Sequence, residues 1–227
     1  MPRANFEREL QKLLDRTLTL GNQVEDNIVE AVDALLGRDV VSAKRLIAGD
    51  KDINNQRIAI MNDALTLIAT QQPMAGDMRL IASVIEIAGE LERINDYVKG
   101  IGRITMMIGP EPIPDALDSL PLMAQKASDM LHVALDAASR SDAELARQIP
   151  ARDDEIDKLF NRVYSDLVAY VIEQPHQIDR ANQLEWAAHN LERAADRVTN
   201  ICEWVVYMKT GEYIEMDSEL EAPPPQN

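Results

Sequence analysis

The chain has 227 residues, with 39 acidic and 23 basic side chains and a formal net charge of −16 at pH 7. This balance excludes a general nucleic-acid binder and argues against docking on an anionic membrane, because both need an excess of bases. One cysteine, Cys202, excludes an internal disulfide framework, and the apolar runs are far shorter than the ~20 residues that span a bilayer. We therefore expect a cytoplasmic protein without direct membrane insertion.

The first half of the chain shows three segments in which apolar residues recur at alternating spacings of three and four. These segments run from Leu10 to Leu35, from Ile53 to Gln71 and from Arg79 to Ile108. This spacing is typical of helices that bury one face in a bundle. Short breakers rich in Gly, Pro and Asp separate the segments, and Asp39 and Asp77 are the predicted N-caps of the second and third helices.

The second half repeats this pattern after a linker. Residues 109–122 begin with three prolines in seven residues, which predicts a linker. The apolar seam then returns between Met123 and Ala137, between Ile156 and Tyr170, and between Leu184 and Val205. Residues 211–227 are acidic, contain three consecutive prolines and carry no base, so we expect a solvated, disordered tail.

An internal duplication underlies the two halves. A shift of 103 residues carries Asp39 onto Asp142, which stands at the same kind of breaker. A shift of 100 carries the segment 91–93, Leu-Glu-Arg, onto the identical segment 191–193. Recurrence at a fixed period indicates that one helical unit has been copied, and each copy would bury its own apolar seam.

The duplication predicts an all-α protein with six helices in two tandem three-helix bundles. The first bundle is expected over residues 1–108 and the second over residues 123–210. Pro150 lies inside the fifth predicted helix, where proline removes a backbone donor and clashes with the preceding turn. We therefore expect a kink one turn before Asp153.

Paired acidic residues recur in both halves. Each third helix contains Leu-Glu-Arg-x-x-Asp, whose Glu and Asp are four residues apart and therefore share one helical face. Each second helix adds a similarly spaced polar pair. Hard cations such as Mg²⁺, Mn²⁺ or iron prefer oxygen ligands and would relieve the repulsion between these acids. The predicted metal ligands are Asp50, Asn54, Glu92 and Asp96 in the first repeat and Asp153, Asp157, Glu192 and Asp196 in the second.

Two other interpretations remain open. In the first, the chain is a metal-free helical scaffold, because Arg93 and Arg193 lie beside the acids and would compete with a metal for them. In the second, it is a ferritin-like di-metal bundle, which needs Glu-x-x-His pairs on two helices. His189 lies near Glu185 and Glu192, but no matching pair exists elsewhere. Without a nucleophile elbow, a P-loop or a dinucleotide-binding turn, we do not expect an enzyme.

The repeated motifs together resemble the PhoU family of phosphate-uptake regulators over about residues 6–210. No single motif is specific for the family, but the presence of two copies of the whole set at the family's spacing is fairly specific for it. The resemblance rests on the helices with Leu-Glu-Arg-x-x-Asp at 91–96 and 191–196, Asn200-Ile201-Cys202-Glu203, the segment 50–54, the Gln72-Pro73 loop and the duplication.

The resemblance implies a cytoplasmic, usually dimeric adaptor. Its implied partners are the ATPase subunit of a phosphate ABC importer and the sensor histidine kinase of the phosphate-starvation response. Such a protein would hold the kinase off and restrain uptake when phosphate is plentiful. The resemblance also implies multinuclear metal clusters, with iron in some members, on the eight positions named above. This chain departs from the family's pattern at Asn54 and Pro150.

Overall fold

The structure is a computed structural model that describes residues 3–109 and 111–216. Every regular element among these residues is helical, and the prediction of an all-α chain built from two tandem three-helix units is confirmed. The fifth predicted helix consists of two parts, α5 and α6. The helices are α1 (Arg3–Gly37), α2 (Val40–Gln71), α3 (Ala75–Met107), α4 (Leu120–Arg140), α5 (Ala143–Gln148), α6 (Asp153–Glu173) and α7 (Ile178–Thr210).

The starts of α2 and α3 show how local side chains fix the helix boundaries. The Asp39 carboxylate accepts hydrogen bonds from the backbone N–H groups of Val41 (2.9 Å) and Ser42 (3.1 Å), so this predicted N-cap is confirmed. Asp77 was expected to be the N-cap of α3, but it is the third residue of that helix. There it accepts a hydrogen bond from the backbone N–H of Met74, which is the N-cap residue.

Pro150 has a stronger effect than the predicted kink. Helix α5 ends at Gln148, a 3₁₀ turn spans Pro150–Arg152, and α6 begins at Asp153. The break falls where the sequence placed it, and proline occupies the first position of the 3₁₀ turn, where a missing N–H costs little. The interruption makes Asp153 the first residue of a new helix, whereas its counterpart Asp50 lies in the middle of α2.

The two three-helix units share one continuous apolar core. Equivalent helices of the two repeats lie against each other, α3 against α7 and α1 against α4. Ser83 of α3 donates a hydrogen bond to the carbonyl of Trp204 (2.9 Å), and Gly100, further along α3, lies against Asn190. Residues later in α3 therefore contact residues earlier in α7, so the two helices run antiparallel. This arrangement is expected if an approximate two-fold axis relates the repeats.

Close approach of α1 and α4 depends on a glycine. A Cβ at Gly21 would lie 2.5 Å from Leu135 Cδ2, so a larger residue would overlap this buried leucine. One turn further along α1, Glu25 Oε2 is 3.2 Å from His132 Nδ1. A later residue of α1 thus again contacts an earlier residue of α4. Both interfaces between the repeats therefore have the same antiparallel arrangement.

The linker and the segment after α7 are both anchored to the helices. Arg180 donates hydrogen bonds to the carbonyl oxygens of Glu111 (2.7 Å) and Pro112 (2.8 Å), which holds the linker against α7. Residues 211–215 are exposed, as the sequence predicted for the start of the tail, but they are held to α7, because Tyr213 and Met216 both donate a hydrogen bond to the buried carboxylate of Glu203. The remainder of the predicted tail, 217–227, lies outside the described residues. Among the helices that the structure describes, none is long and apolar enough to cross a membrane.

Candidate metal centres

The fold brings the predicted ligands of each repeat together as two separate clusters. In the first repeat α2 supplies one polar pair and α3 the other, and in the second repeat α6 and α7 do the same. The first cluster consists of Asp50, Asn54, Glu92 and Asp96, and the second cluster consists of Asp153, Asp157, Glu192 and Asp196. In each repeat, the polar pairs of two adjacent helices therefore lie near each other. The side chains that surround the pairs differ between the two clusters.

A lysine lies within the first cluster. Lys99 Nζ donates to Asp50 Oδ2 (2.6 Å) and to Asp96 Oδ1 (2.5 Å), so it bridges the acids of α2 and α3. Asn95 Nδ2 donates to the other oxygen of Asp50 (3.0 Å), and Asn27 of α1 donates to Asn95 Oδ1 (2.9 Å). Both oxygens of Asp50 are therefore engaged by protein donors. Charge-assisted hydrogen bonds of this kind are about twice as strong as neutral ones.

An arginine neutralises the rest of the first cluster. Arg57 donates to the amide oxygen of Asn54 through Nη2 (3.3 Å) and Nε (3.4 Å). Burial and the neighbouring Asp96 raise the pKa of Glu92, while the nearby Arg57 acts in the opposite direction. For Lys99, burial lowers the pKa, but the hydrogen bonds to Asp50 and Asp96 outweigh it and the net shift is upward. The lysine therefore stays charged.

The second cluster contains a buried carboxylate that lacks such partners. Asp153 is only 7% exposed, and its Oδ1 has no hydrogen-bond partner among the described residues. Burial, reinforced by the carboxylates of Asp157, Asp196 and Glu192, raises the pKa of Asp153 to about 7. As the first residue of α6, Asp153 gains about 0.3–1 kcal/mol from the helix dipole in its charged form. The raised pKa shows that burial outweighs this gain.

Bases do contact the outer part of the second cluster. Arg193 Nη1 lies 2.9 Å from Asp196 Oδ2, and both side chains are partly exposed. His189 Nδ1 lies 3.5 Å from Glu192 Oε2, which is an ion pair only when the histidine is protonated. These contacts are at the rim, whereas Lys99 in the first cluster bridges the acids of both helices.

The difference between the clusters can be read from the aligned repeats. The shifts of 103 and 100 residues give each donor of the first cluster a counterpart in the second, and none of these counterparts is charged. Asn27, Arg57, Asn95 and Lys99 correspond to Met130, Phe160, Ala195 and Thr199, respectively. The Glu and Asp pair of the third helix is present in both repeats, but the donors that contact Asp50, Asn54 and Asp96 in the first cluster have no counterpart of the same residue type in the second.

The two clusters therefore differ in how well they suit a metal ion. The second offers four carboxylates, the ligand type that hard cations prefer, and one of them has an orphaned, buried oxygen. The first does not fit, because an ammonium group already occupies the space between Asp50 and Asp96. No three His, Cys, Asp or Glu side chains in the described part of the chain are placed to hold a metal as they stand. Metal binding to the second cluster would therefore require side chains to turn towards a common point.

Sequence reasoning missed the residues that neutralise the first cluster. Lys99 follows Asp96 by three residues, so its place on the acidic face of α3 was visible from spacing alone. Its contact with Asp50 depends on how α2 and α3 are rotated about their axes, which spacing does not determine. Asn95 falls on the buried side of α3 and gave no signal of its contact with Asp50.

This architecture defines a class of helical protein in which two copies of a three-helix unit each carry acidic pairs on their second and third helices. The sequence model of the PhoU domain matches residues 17–105 and 120–205, one copy in each repeat. The chain therefore belongs to the PhoU family.

Individual relatives match almost the whole chain. The phosphate-specific transport system accessory protein PhoU homolog of Rhizobium meliloti (strain 1021) is 33% identical over 91% of this chain and 87% of that protein. The phosphate-specific transport system accessory protein PhoU of Escherichia coli (strain K12) is 32% identical over 91% of this chain and 86% of that protein.

Solved structures extend this similarity to three dimensions. The phosphate transport system regulatory protein PhoU from Streptococcus pneumoniae has a TM-score of 0.85 at 29% identity and covers 92% of this chain and 99% of its own. PhoU from Pseudomonas aeruginosa has a TM-score of 0.84 at 31% identity and covers 91% and 100%. The fold of both repeats is therefore the fold of the family.

Proposed function

We propose that the chain is a regulatory accessory protein of phosphate uptake. It acts in the cytoplasm as a non-enzymatic adaptor between a phosphate ABC importer and the sensor histidine kinase of the phosphate-starvation response. The observation that carries this proposal is family membership across both repeats, together with relatives named as accessory or regulatory proteins of phosphate transport. When phosphate is plentiful, the adaptor restrains uptake and keeps the kinase inactive.

An exposed apolar surface supports a role in protein contacts. Side chains of α6 and α7 line a shallow groove of about 240 Å³ between the two helices, and several are well exposed. Ile172 is 74% exposed, and Val168 and Ile178 are each close to half exposed. Such contiguous apolar patches commonly mark interaction sites on folded proteins. At the equivalent positions of the first repeat, Leu65 and Met78 are also exposed large apolar residues.

A direct binding measurement tests the adaptor role. The purified chain is titrated with the importer's ATPase subunit and, separately, with the cytoplasmic part of the sensor kinase from the same organism. The proposal predicts saturable binding to at least one of them. Absence of binding to both, with the chain folded by circular dichroism, would overturn the adaptor role.

The apolar groove supplies a variant for the same measurement. Ile172→Glu places a charge in the groove, and we expect it to weaken partner binding about tenfold or more, as truncation of an interface anchor does. Ser165→Glu puts the same charge at an exposed position of α6 outside the groove and serves as the control. Equal effects of the two variants would exclude the groove as the contact surface.

We also propose that the chain is a homodimer, as the family resemblance implies. Trp186 on α7 is 59% exposed, and large exposed aromatic residues are enriched at protein interfaces. Light scattering should give about twice the chain mass of 25.4 kDa. A mass equal to that of one chain would contradict the dimer.

A further inference from the structure

The segment that follows α7 turns back along that helix and covers a buried acid. Gly211 ends α7 with a left-handed φ of 83°, and the chain then returns to Glu203 without forming a helix. Tyr213 Oη donates to Glu203 Oε2 (2.7 Å), and the backbone N–H of Met216 donates to Glu203 Oε1 (2.8 Å). We call residues 211–216 the strap. Both oxygens of the buried acid are therefore bound by the strap.

The strap also packs against aromatic and apolar side chains. The ring centroids of Tyr213 and Trp204 are 4.9 Å apart, and Met216 packs against the apolar core. The side chain of Arg79 on α3 lies beside the first residue of the strap. The surface under the strap therefore belongs to α7 and is edged by α3. We call this surface, with Glu203, Trp204 and Arg79, the strap site.

The acid of the strap site has no acidic counterpart in the first repeat. The shift of 100 residues relates Glu203 to Arg103, which is exposed, and the segment after α3 is bound by Arg180 instead of returning along its own helix. A carboxylate that is only 5% exposed is costly to bury unless donors reach it. Within the described part of the chain, both hydrogen bonds to Glu203 come from the strap. The buried acid therefore suits an extended segment that lies across it.

The contacts of the strap are of a kind that another peptide segment can supply. They consist of an aromatic ring with a hydroxyl group and, three residues later, a backbone N–H and a large apolar side chain. Tyr213 and Ile214 are 47% and 41% exposed, so the strap lies at the surface. Since the strap begins after the end of α7, it can leave without breaking that helix. Segments with few buried contacts open at a low cost in free energy.

We propose that the strap occupies a docking site for an extended segment of a partner protein. The site accepts an aromatic residue followed three positions later by a large apolar residue, as in Tyr213 and Met216. A partner segment with this pattern displaces the strap, donates to Glu203 and packs on Trp204. The strap is autoinhibitory, because it lowers the fraction of chains with an open site and raises the apparent Kd by the same factor.

A peptide with the sequence of the strap tests the site. The probe is a fluorescein-labelled synthetic peptide of residues 210–218, whose anisotropy is measured with the full-length chain at about 0.15 M salt to screen repulsion between the two acidic partners. Its receptor is the double variant Tyr213→Ala with Met216→Ala, whose own strap lacks the ring and the apolar side chain. We expect saturable binding to the double variant. The Kd for the wild type should be about tenfold higher or more, because its tethered strap competes at an effective concentration on the order of millimolar.

Two matched controls locate the binding. Replacing Tyr213 and Met216 by Ala in the peptide should abolish binding to the double variant. Glu203→Gln, added to the double variant, keeps the shape of the acid but removes its charge. It should weaken binding about fivefold or more, because hydrogen bonds to charged groups are roughly twice as strong as neutral ones.

Three results would overturn the proposal. The first is the absence of saturable binding to the double variant at millimolar peptide, and the second is an equal Kd for the wild type and the double variant. The third is unchanged binding after Glu203→Gln, with each variant shown to be folded by circular dichroism. The experiment contains no importer or kinase component, so its outcome is independent of the adaptor role.

Discussion

Asp50 and Asp153 are equivalent residues of the duplication, yet one is fully hydrogen-bonded and the other is not. Asp50 accepts hydrogen bonds from Asn95 and Lys99, whereas Asp153 is buried and its Oδ1 has no hydrogen-bond partner among the described residues. The contrast comes from the neighbouring side chains, since the acid itself is the same. The same substitution should therefore have opposite effects on stability at the two positions.

We predict opposite signs for Asp50→Asn and Asp153→Asn in the metal-free protein at pH 7. Asp50→Asn removes a charged partner of Lys99 and should lower the free energy of unfolding by about 1–3 kcal/mol. Asp153→Asn removes a buried charge without a donor and should raise it by about 1 kcal/mol. Urea denaturation of both variants in the presence of a chelator measures these changes, and destabilisation by both would contradict the assigned surroundings.

At the residue scale, the sequence predicted positions better than it predicted partners. The three acids and Asn54 of the first repeat, and the four acids of the second, lie on neighbouring helices of their own repeat. Their neutralising groups did not follow from the sequence, because a contact such as Lys99 with Asp50 joins residues 49 positions apart on two helices. The orphaned oxygen of Asp153 likewise depends on burial at the α5–α6 break, which spacing alone does not show.

Individual helices were predictable because each has a local cause. The apolar seams placed all the long helices, and the Asp39 cap and the Pro150 break mark boundaries through chemistry that acts within a few residues. The sequence predicted Asp77 as the N-cap, but Asp77 is the third residue of α3. An acid can bind the free N–H groups of the first turn from either position, so the sequence alone did not distinguish them. Contacts between helices could be predicted less well from the sequence. The close approach of α1 and α4 at Gly21, for example, depends on the path of α4.

The Asp39 cap gives a prediction with a defined pH dependence. The Ser42 hydroxyl, followed by the backbone N–H groups of Ser42 and Val41, lowers the pKa of Asp39 in the folded chain. A carboxyl whose pKa is lowered by folding stabilises the protein above its unfolded pKa of about 3.9. That contribution is lost as the pH falls through the folded pKa.

Asp39→Ala should therefore lower the melting temperature at pH 7, while Asp39→Asn, which keeps an acceptor oxygen, should lower it less. The difference between the wild type and Asp39→Asn should shrink as the pH falls below about 4. Thermal unfolding followed by circular dichroism at pH 7 and pH 3 provides the comparison. A difference that grows on acidification would show that the carboxylate does not cap α2.

In the whole molecule, a buried polar contact joins the two repeats. Glu90 of α3 is 6% exposed and lies 3.6 Å from Arg197 Nη1 and 3.3 Å from Asn200 Nδ2, both on α7. Arg93 on its own helix lies 3.3 Å away. Together with the shared apolar core, this contact should make the repeats unfold as one unit.

Glu90→Ala should lower the free energy of unfolding by about 2–4 kcal/mol, because it leaves the charge of the half-buried Arg197 without its partner. The exposed Glu86, one turn earlier on α3, provides the control, and Glu86→Ala should change stability by less than about 0.5 kcal/mol. Denaturation by urea checks both values. Two separate transitions in the wild-type chain would contradict unfolding as one unit.

The function proposed for the whole molecule rests on its place in the control of phosphate uptake. The most direct test is phosphate-responsive gene expression in a strain that lacks this gene and holds no second gene of the family. We predict that a phosphate-starvation reporter stays active in phosphate-rich medium and that the wild-type chain restores repression. Normal repression in the deletion strain would contradict the account.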